Sequence, residues 1–154
     1  MILRGLATLG LTLSLVLLSV AQSKTPTPVI TLARSVCFGT CPAYNLEIYE
    51  DGKVVYEGKD FVKKKGIARS QITKQELAHL VEQFTKINYF DLKSEPDCPE
   101  RWTDHPSAIT SLKWNGQQNA VQHYHGCRGS EVLKQLTELE DKIDTAVNSK
   151  QWIE

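Results

Sequence analysis

The sequence predicts a small α+β domain: an antiparallel sheet of four to six strands built from two hairpins, with two helices packed on one face. Three observations lead there. Asp51-Gly52 and Asn115-Gly116 each separate two runs of alternating apolar and polar residues, the strongest short-range hairpin signal. Two later segments carry apolar residues at helical spacing on one side only. The resulting order, hairpin, helix, hairpin, helix, groups the strands in antiparallel pairs and leaves each helix one apolar stripe to bury.

The N-terminal stretch MILRGLATLGLTLSLVLLSVA carries one charge, Arg4, ahead of an apolar run from Gly5 to Ala21. A basic start, an apolar middle and small residues at Ser19 and Ala21 are the layout of a secretory signal peptide, residues 1–21, cleaved after Ala21. A retained membrane anchor is the alternative, since the run is about as long as a short transmembrane helix. Residues 22–28 read as a linker, 29–148 as a single domain and 149–154 as a C-terminal tail. Cleavage leaves 17 basic against 18 acidic residues, which argues against bulk attraction to nucleic acid or an anionic membrane.

Within the domain, VITLAR (Val29 to Arg34) alternates with the period of a half-buried strand, and AYNLEIY and KVVYEG form the first hairpin around a type I′ Asp51-Gly52 turn. Lys59 to Gln71, with Lys63, Lys64, Lys65 and Arg69, reads as an edge strand guarded by lysines more readily than as an anion-binding patch. Thr73 and Glu76 form a capping box for a helix carrying Leu77, Leu80, Val81, Phe84 and Ile87, ending near Asn88. After a proline-rich loop, AITSLKW and QNAVQHYH form the second hairpin. Ser130 then caps a helix whose apolar face is Leu133, Leu136, Leu139, Ile143 and Val147.

Candidate chemistry centres on four cysteines, Cys37, Cys41, Cys98 and Cys127, an even count that favours disulfides in an exported chain. Sequence alone leaves three connectivities open. A Cys37–Cys41 bridge requires the chain to fold back, because five extended residues place the Cα atoms about 13 Å apart and a disulfide needs less than about 7 Å; Gly39 is the permissive residue. The C-x3-C spacing is one residue longer than the usual zinc and thioredoxin-type pairs. CFGTCP is similar in spelling to the C-x3-C-P of Sco-type copper chaperones, but there the second cysteine leads into a helix, and here into a hairpin.

A second constellation joins Cys98, Asp104 and His105 to His123, His125 and Cys127. His123 and His125 share one face of a strand and offer two imidazoles to copper or zinc, with Asp104, His105 or a cysteine completing the set. The simpler alternative is a Cys98–Cys127 disulfide with the histidines beside it on the solvent face. His79 falls on the polar side of its helix, and Trp102, Trp114 and Trp152 suit core or rim packing. No G-x-S-x-G elbow, triad order or phosphate loop is present, so hydrolysis ranks last.

The run ITLARSVCFGTCPAYNLEIYEDGKVVYEG resembles the opening of the bacterial family called domain of unknown function 6438, through Cys37, Phe38, Gly39, Cys41, Pro42 and Tyr44, the Asp-Gly hairpin and the aromatic pair Tyr89-Phe90. The likeness extends over most of Val29 to Val147. It implies an exported α+β domain without an assigned catalytic residue, and it implies that the pair Cys98 and Cys127 is a supplementary bridge rather than a required site.

The function expected from these features is a noncatalytic, disulfide-stapled binding or interaction module in the periplasm or outside the cell. Its partner is unidentified, and no cofactor and no nucleic acid are expected. The alternative is a copper, zinc or thiol-redox protein using Cys37 and Cys41, or His123, His125 and Cys127.

Overall fold

The computed structural model describes residues 26–154. The expected signal peptide, and a retained anchor with it, lie outside those residues. Among the described residues, eight strands form in the order β1 (Ile30–Arg34), β2 (Ala43–Ile48), β3 (Lys53–Asp60), β4 (Gly66–Gln71), β5 (Glu100–Arg101), β6 (Ser107–Trp114), β7 (Gln117–Tyr124) and β8 (Cys127–Arg128). Six of them make one antiparallel sheet, ordered β4-β3-β2-β1-β6-β7, so β1 sits between the two hairpins and joins them. The short strands β5 and β8 pair separately.

The alternation read from the sequence sets which side chains face inward. Ile30, Leu32, Leu46, Ile48, Val54, Tyr56, Leu112 and Val121 are buried against α1 (Lys74–Lys86) and α2 (Glu131–Val147), whose Leu77, Leu80, Phe84, Leu136, Leu139 and Ile143 complete the core. Helix α1 begins at the expected capping box: Glu76 N donates to Thr73 Oγ1 at 3.1 Å and Thr73 N to Glu76 Oε2 at 2.7 Å. Asn88 takes a left-handed conformation just beyond the helix, turning the chain so that buried Tyr89 donates its hydroxyl to Thr110 O at 2.7 Å.

Three local expectations change. Asn115 and Gly116 both have positive φ, as a type I′ turn requires, but at the first hairpin only Gly52 does. There Gly52 N donates to Tyr49 O at 2.9 Å and Tyr49 N to Lys53 O at 2.9 Å, a three-residue loop closed by one left-handed glycine, the bulged alternative to type I′. Gly39 does act as the permissive residue of the Cys37–Cys41 loop: its φ of 158° is one that L side chains rarely adopt. Ser130 stands at the N-cap of α2, yet its hydroxyl makes no capping bond. Residues 149–154 are not a loose tail: α3 (Lys150–Ile153) folds back, Trp152 is buried and stacks on Tyr56 at 4.7 Å, and Lys64 N donates to Trp152 O at 2.8 Å. An indole offers enough apolar area to hold so short a helix in place.

Candidate functional site

Both disulfides, Cys37–Cys41 and Cys98–Cys127, are formed, with Cα separations of 5.6 and 5.1 Å. They lie at one end of the main sheet, where β1 ends and β6 begins. Phe38 N donates to Asp104 O at 3.3 Å, tying the two stapled loops together. Three apolar side chains project from them into solvent: Phe38, 89% exposed, Trp102, 63%, and Val36, 48%. Asp60 pairs with Ala43, which brings the β3–β4 turn and its exposed Phe61 to the same end. No free cysteine remains among the described residues, so the thiolate ligands of the metal and redox alternatives are absent in this oxidised state.

Directly beneath the staples, one row of the sheet's inner face is polar. The register runs Tyr44, Arg34, Ala108, His123 across β2, β1, β6 and β7, and Ala108 leaves room between the long side chains. Helix α2 crosses this row with Glu140 and Asp144, one turn apart. His123 Nδ1 lies 2.8 Å from Glu140 Oε1, and His125 Nε2 lies 2.7 Å from Glu140 Oε2. Because an ionised carboxylate only accepts, both of those ring nitrogens carry the proton. Arg34 reaches Asp144 Oδ2 through Nε and Nη2 at 3.0 and 2.8 Å and Glu140 Oε2 at 3.4 Å. Tyr44 and Ser149 donate to Asp144 Oδ1 at 2.7 and 2.6 Å.

Burial sets the chemistry of this row. Glu140 is fully buried, which by itself raises a carboxyl pKa, but the hydrogen bonds from His123 and His125 outweigh that and hold it below the ordinary carboxylate value. Burial lowers the Arg34 pKa, yet Asp144 first, then Tyr44 and Glu140, carry it above the usual range. Burial and the neighbouring Asp144 push the Tyr44 phenol up. Glu140 and Arg34 are thus ionised at neutral pH, while the Tyr44 phenol keeps its proton.

The histidines therefore face the core rather than the solvent. His123 is 3% exposed, and the two rings stack at 4.5 Å. The reversal has a simple cause: His123 alternates in phase with buried Val121, so it shares that residue's face. His105 is exposed, but His125 N donates to Pro106 O at 3.0 Å and Tyr124 Oη accepts from His105 N at 3.3 Å, holding it beside the pair. His105, His123 and His125 all line one cavity of about 450 Å³ against α2. Asp104, with a left-handed backbone, is bonded to Thr103 and to Phe38 N and does not line it. His79 is exposed on α1, as expected.

Sequence reasoning missed Arg34, Tyr44, Glu140 and Asp144. The signal for Glu140 was present: Leu133, Leu136, Glu140, Ile143 and Val147 follow a strict three-four spacing, so the carboxylate occupies a core position. Arg34 likewise follows Ile30 and Leu32 in phase. A separate concavity of about 880 Å³ is a groove between α1 and α2 away from these groups, bridged by Lys142 Nζ donating to Gln83 Oε1 at 3.0 Å.

No curated protein matches the chain. A family model described as "Domain of unknown function (DUF6438)" matches residues 28–147, which span the sheet, both staples and α2. The chain belongs to the domain of unknown function 6438 family.

Proposed function

We propose that this chain is an exported interaction module that binds a protein partner in the cell envelope or outside the cell through the stapled end of its sheet. The observation that carries the reading is the exposure of Phe38 and Trp102 on two disulfide-closed loops that are bonded to each other. Aromatic residues dominate the binding energy of protein interfaces. A loop already held in shape loses little conformational entropy on association, which favours affinity. An 89% exposed phenylalanine inside a five-residue ring gains nothing for folding, whereas docking would bury it. The disulfides support export, since they persist in oxidising compartments. Among the described residues no helix is long and apolar enough to cross a membrane.

The test is a photo-crosslinking amino acid at position 38, with the same probe at exposed Gln118 on the opposite edge strand as control. A discrete adduct from native envelope that requires Trp102 supports the reading. Equal labelling from both positions, or labelling unchanged by Trp102→Ser, refutes it.

A further inference from the structure

We infer that this chain binds one divalent transition-metal ion, with Zn2+ as the probe, where the end of β7 meets α2, through His123 Nδ1, His125 Nε2 and the Glu140 carboxylate. These three side chains offer ligand atoms that all lie within 4.8 Å of one another, the only such group of three among the described residues. Two imidazoles and one carboxylate form a donor set that zinc takes with a fourth position left to water. The set is fixed from both layers of the fold: the end of β7 presents the two histidines, and α2 brings Glu140 to both. The site is independent of the exposed aromatic residues at the stapled end.

Without metal, two protons hold the three side chains together, with His123 Nδ1 2.8 Å from Glu140 Oε1 and His125 Nε2 2.7 Å from Oε2. Zinc bonds of roughly 2.0–2.1 Å in tetrahedral geometry set ligand atoms about 3.3 Å apart, so each contact opens by about 0.5 Å when the ion enters. His125 has room to give way: it is 22% exposed on the wall of a cavity of about 450 Å³, which also admits the ion and its water. The ion takes the lone pairs of His123 Nδ1 and His125 Nε2, so each ring moves its proton to its other nitrogen through water and stays neutral. Charge favours the exchange. Arg34 faces three carboxylates, Glu140, Asp141 and Asp144, at 3.4, 3.7 and 2.8 Å. With neutral imidazoles that cluster carries an excess of negative charge, which burial penalises unless it is paired, and a divalent cation supplies the balance. Arg34 does not compete strongly for Glu140, because its two short bonds, from Nε and Nη2, go to Asp144 Oδ2 and its approach to Glu140 is the longest of the three. The site uses no thiol, so both disulfides stay closed.

Calorimetric titration of the oxidised, chelator-treated protein with ZnCl2 is expected to give one equivalent. His125→Ala and Glu140→Gln each remove a ligand and should raise Kd by more than the roughly tenfold lost when only an outer-shell partner is removed. His79→Ala, which removes an exposed imidazole on α1, should leave Kd unchanged. In case Glu140→Gln does not fold, nitrogen NMR of the wild-type imidazoles gives a second readout. The metal-free protein should carry protons on His123 Nδ1 and His125 Nε2, and one equivalent of Zn2+ should move them to His123 Nε2 and His125 Nδ1. Zinc bound with those protons unmoved, binding weakened as much by His79→Ala as by His125→Ala, or no stoichiometric binding overturns the assignment.

Discussion

Replacing Glu140 with leucine removes one carboxylate and strands three donors. His123 Nδ1–H, His125 Nε2–H and one arm of Arg34 all address Glu140, whose side chain is 1% exposed, so water cannot reach in to replace it. Arg34 keeps Asp144, but the His123 N–H, on a ring 3% exposed, is left without a partner. Breaking a buried charged cluster from one side costs about 3–5 kcal/mol, a large share of the roughly 5–15 kcal/mol that holds a domain folded. Glu140→Gln keeps the shape and one acceptor and should cost about 1–3 kcal/mol. Urea unfolding at pH 7 with the disulfides intact measures both. The pH dependence gives a second reading of the same carboxylate. Its folded pKa lies below the ordinary 4.5, so its stabilisation is fully present above that value and is lost as pH falls below it through the folded pKa. Wild type should therefore lose stability on acidification below pH 4.5 more steeply than Glu140→Gln. A Glu140→Leu protein within 1 kcal/mol of wild type, or parallel acid profiles, would refute the claim that these donors depend on Glu140.

Other outcomes follow from the same structure. Removing the Cys98–Cys127 bridge by double alanine substitution should cost about 3–4 kcal/mol in the chain-entropy model, and removing Cys37–Cys41, which closes a far shorter loop, about 2 kcal/mol, both read by urea unfolding. Trp152→Ala should cost about 3–5 kcal/mol by emptying the site over Tyr56; a shift under 0.5 kcal/mol would return α3 to the status of a tail. Gly58→Ala would drive a Cβ into Lys64 O, backbone that cannot give way freely, and should lower stability by about 1–3 kcal/mol. Phe38→Ser should leave the unfolding midpoint within the range of ordinary surface changes, about 0.5 kcal/mol, while abolishing the adduct formed by the same photo-crosslinking amino acid placed at neighbouring exposed Val36.

Much of the fold was legible. The Asn115-Gly116 turn, the Thr73–Glu76 box and the apolar spacing of both helices depend on residues within a few positions of one another, and each formed where the pattern placed it. The buried row was legible only in fragments. Arg34, His123 and Glu140 each sit in phase with apolar neighbours, but a polar residue in that phase at the end of a strand is as compatible with fraying into solvent as with burial. What distinguishes the two is a partner, and Arg34 finds its own 106 and 110 residues away. The exposure of Phe38 was hidden for the complementary reason: nothing local shows that a phenylalanine beside a cysteine is left uncovered.

By itself, the sequence determined the antiparallel hairpins, the two amphipathic helices and an even set of cysteines, because backbone preference and side-chain period act over a few residues. Only the tertiary structure decided that β1 joins the two hairpins, that Cys98 meets Cys127, and that Tyr44, Arg34 and His123 align beneath one face of α2. Those choices rest on strand register and on which faces pack together, and a buried ionised carboxylate such as Glu140 is tolerated only where that packing brings every donor to it at once.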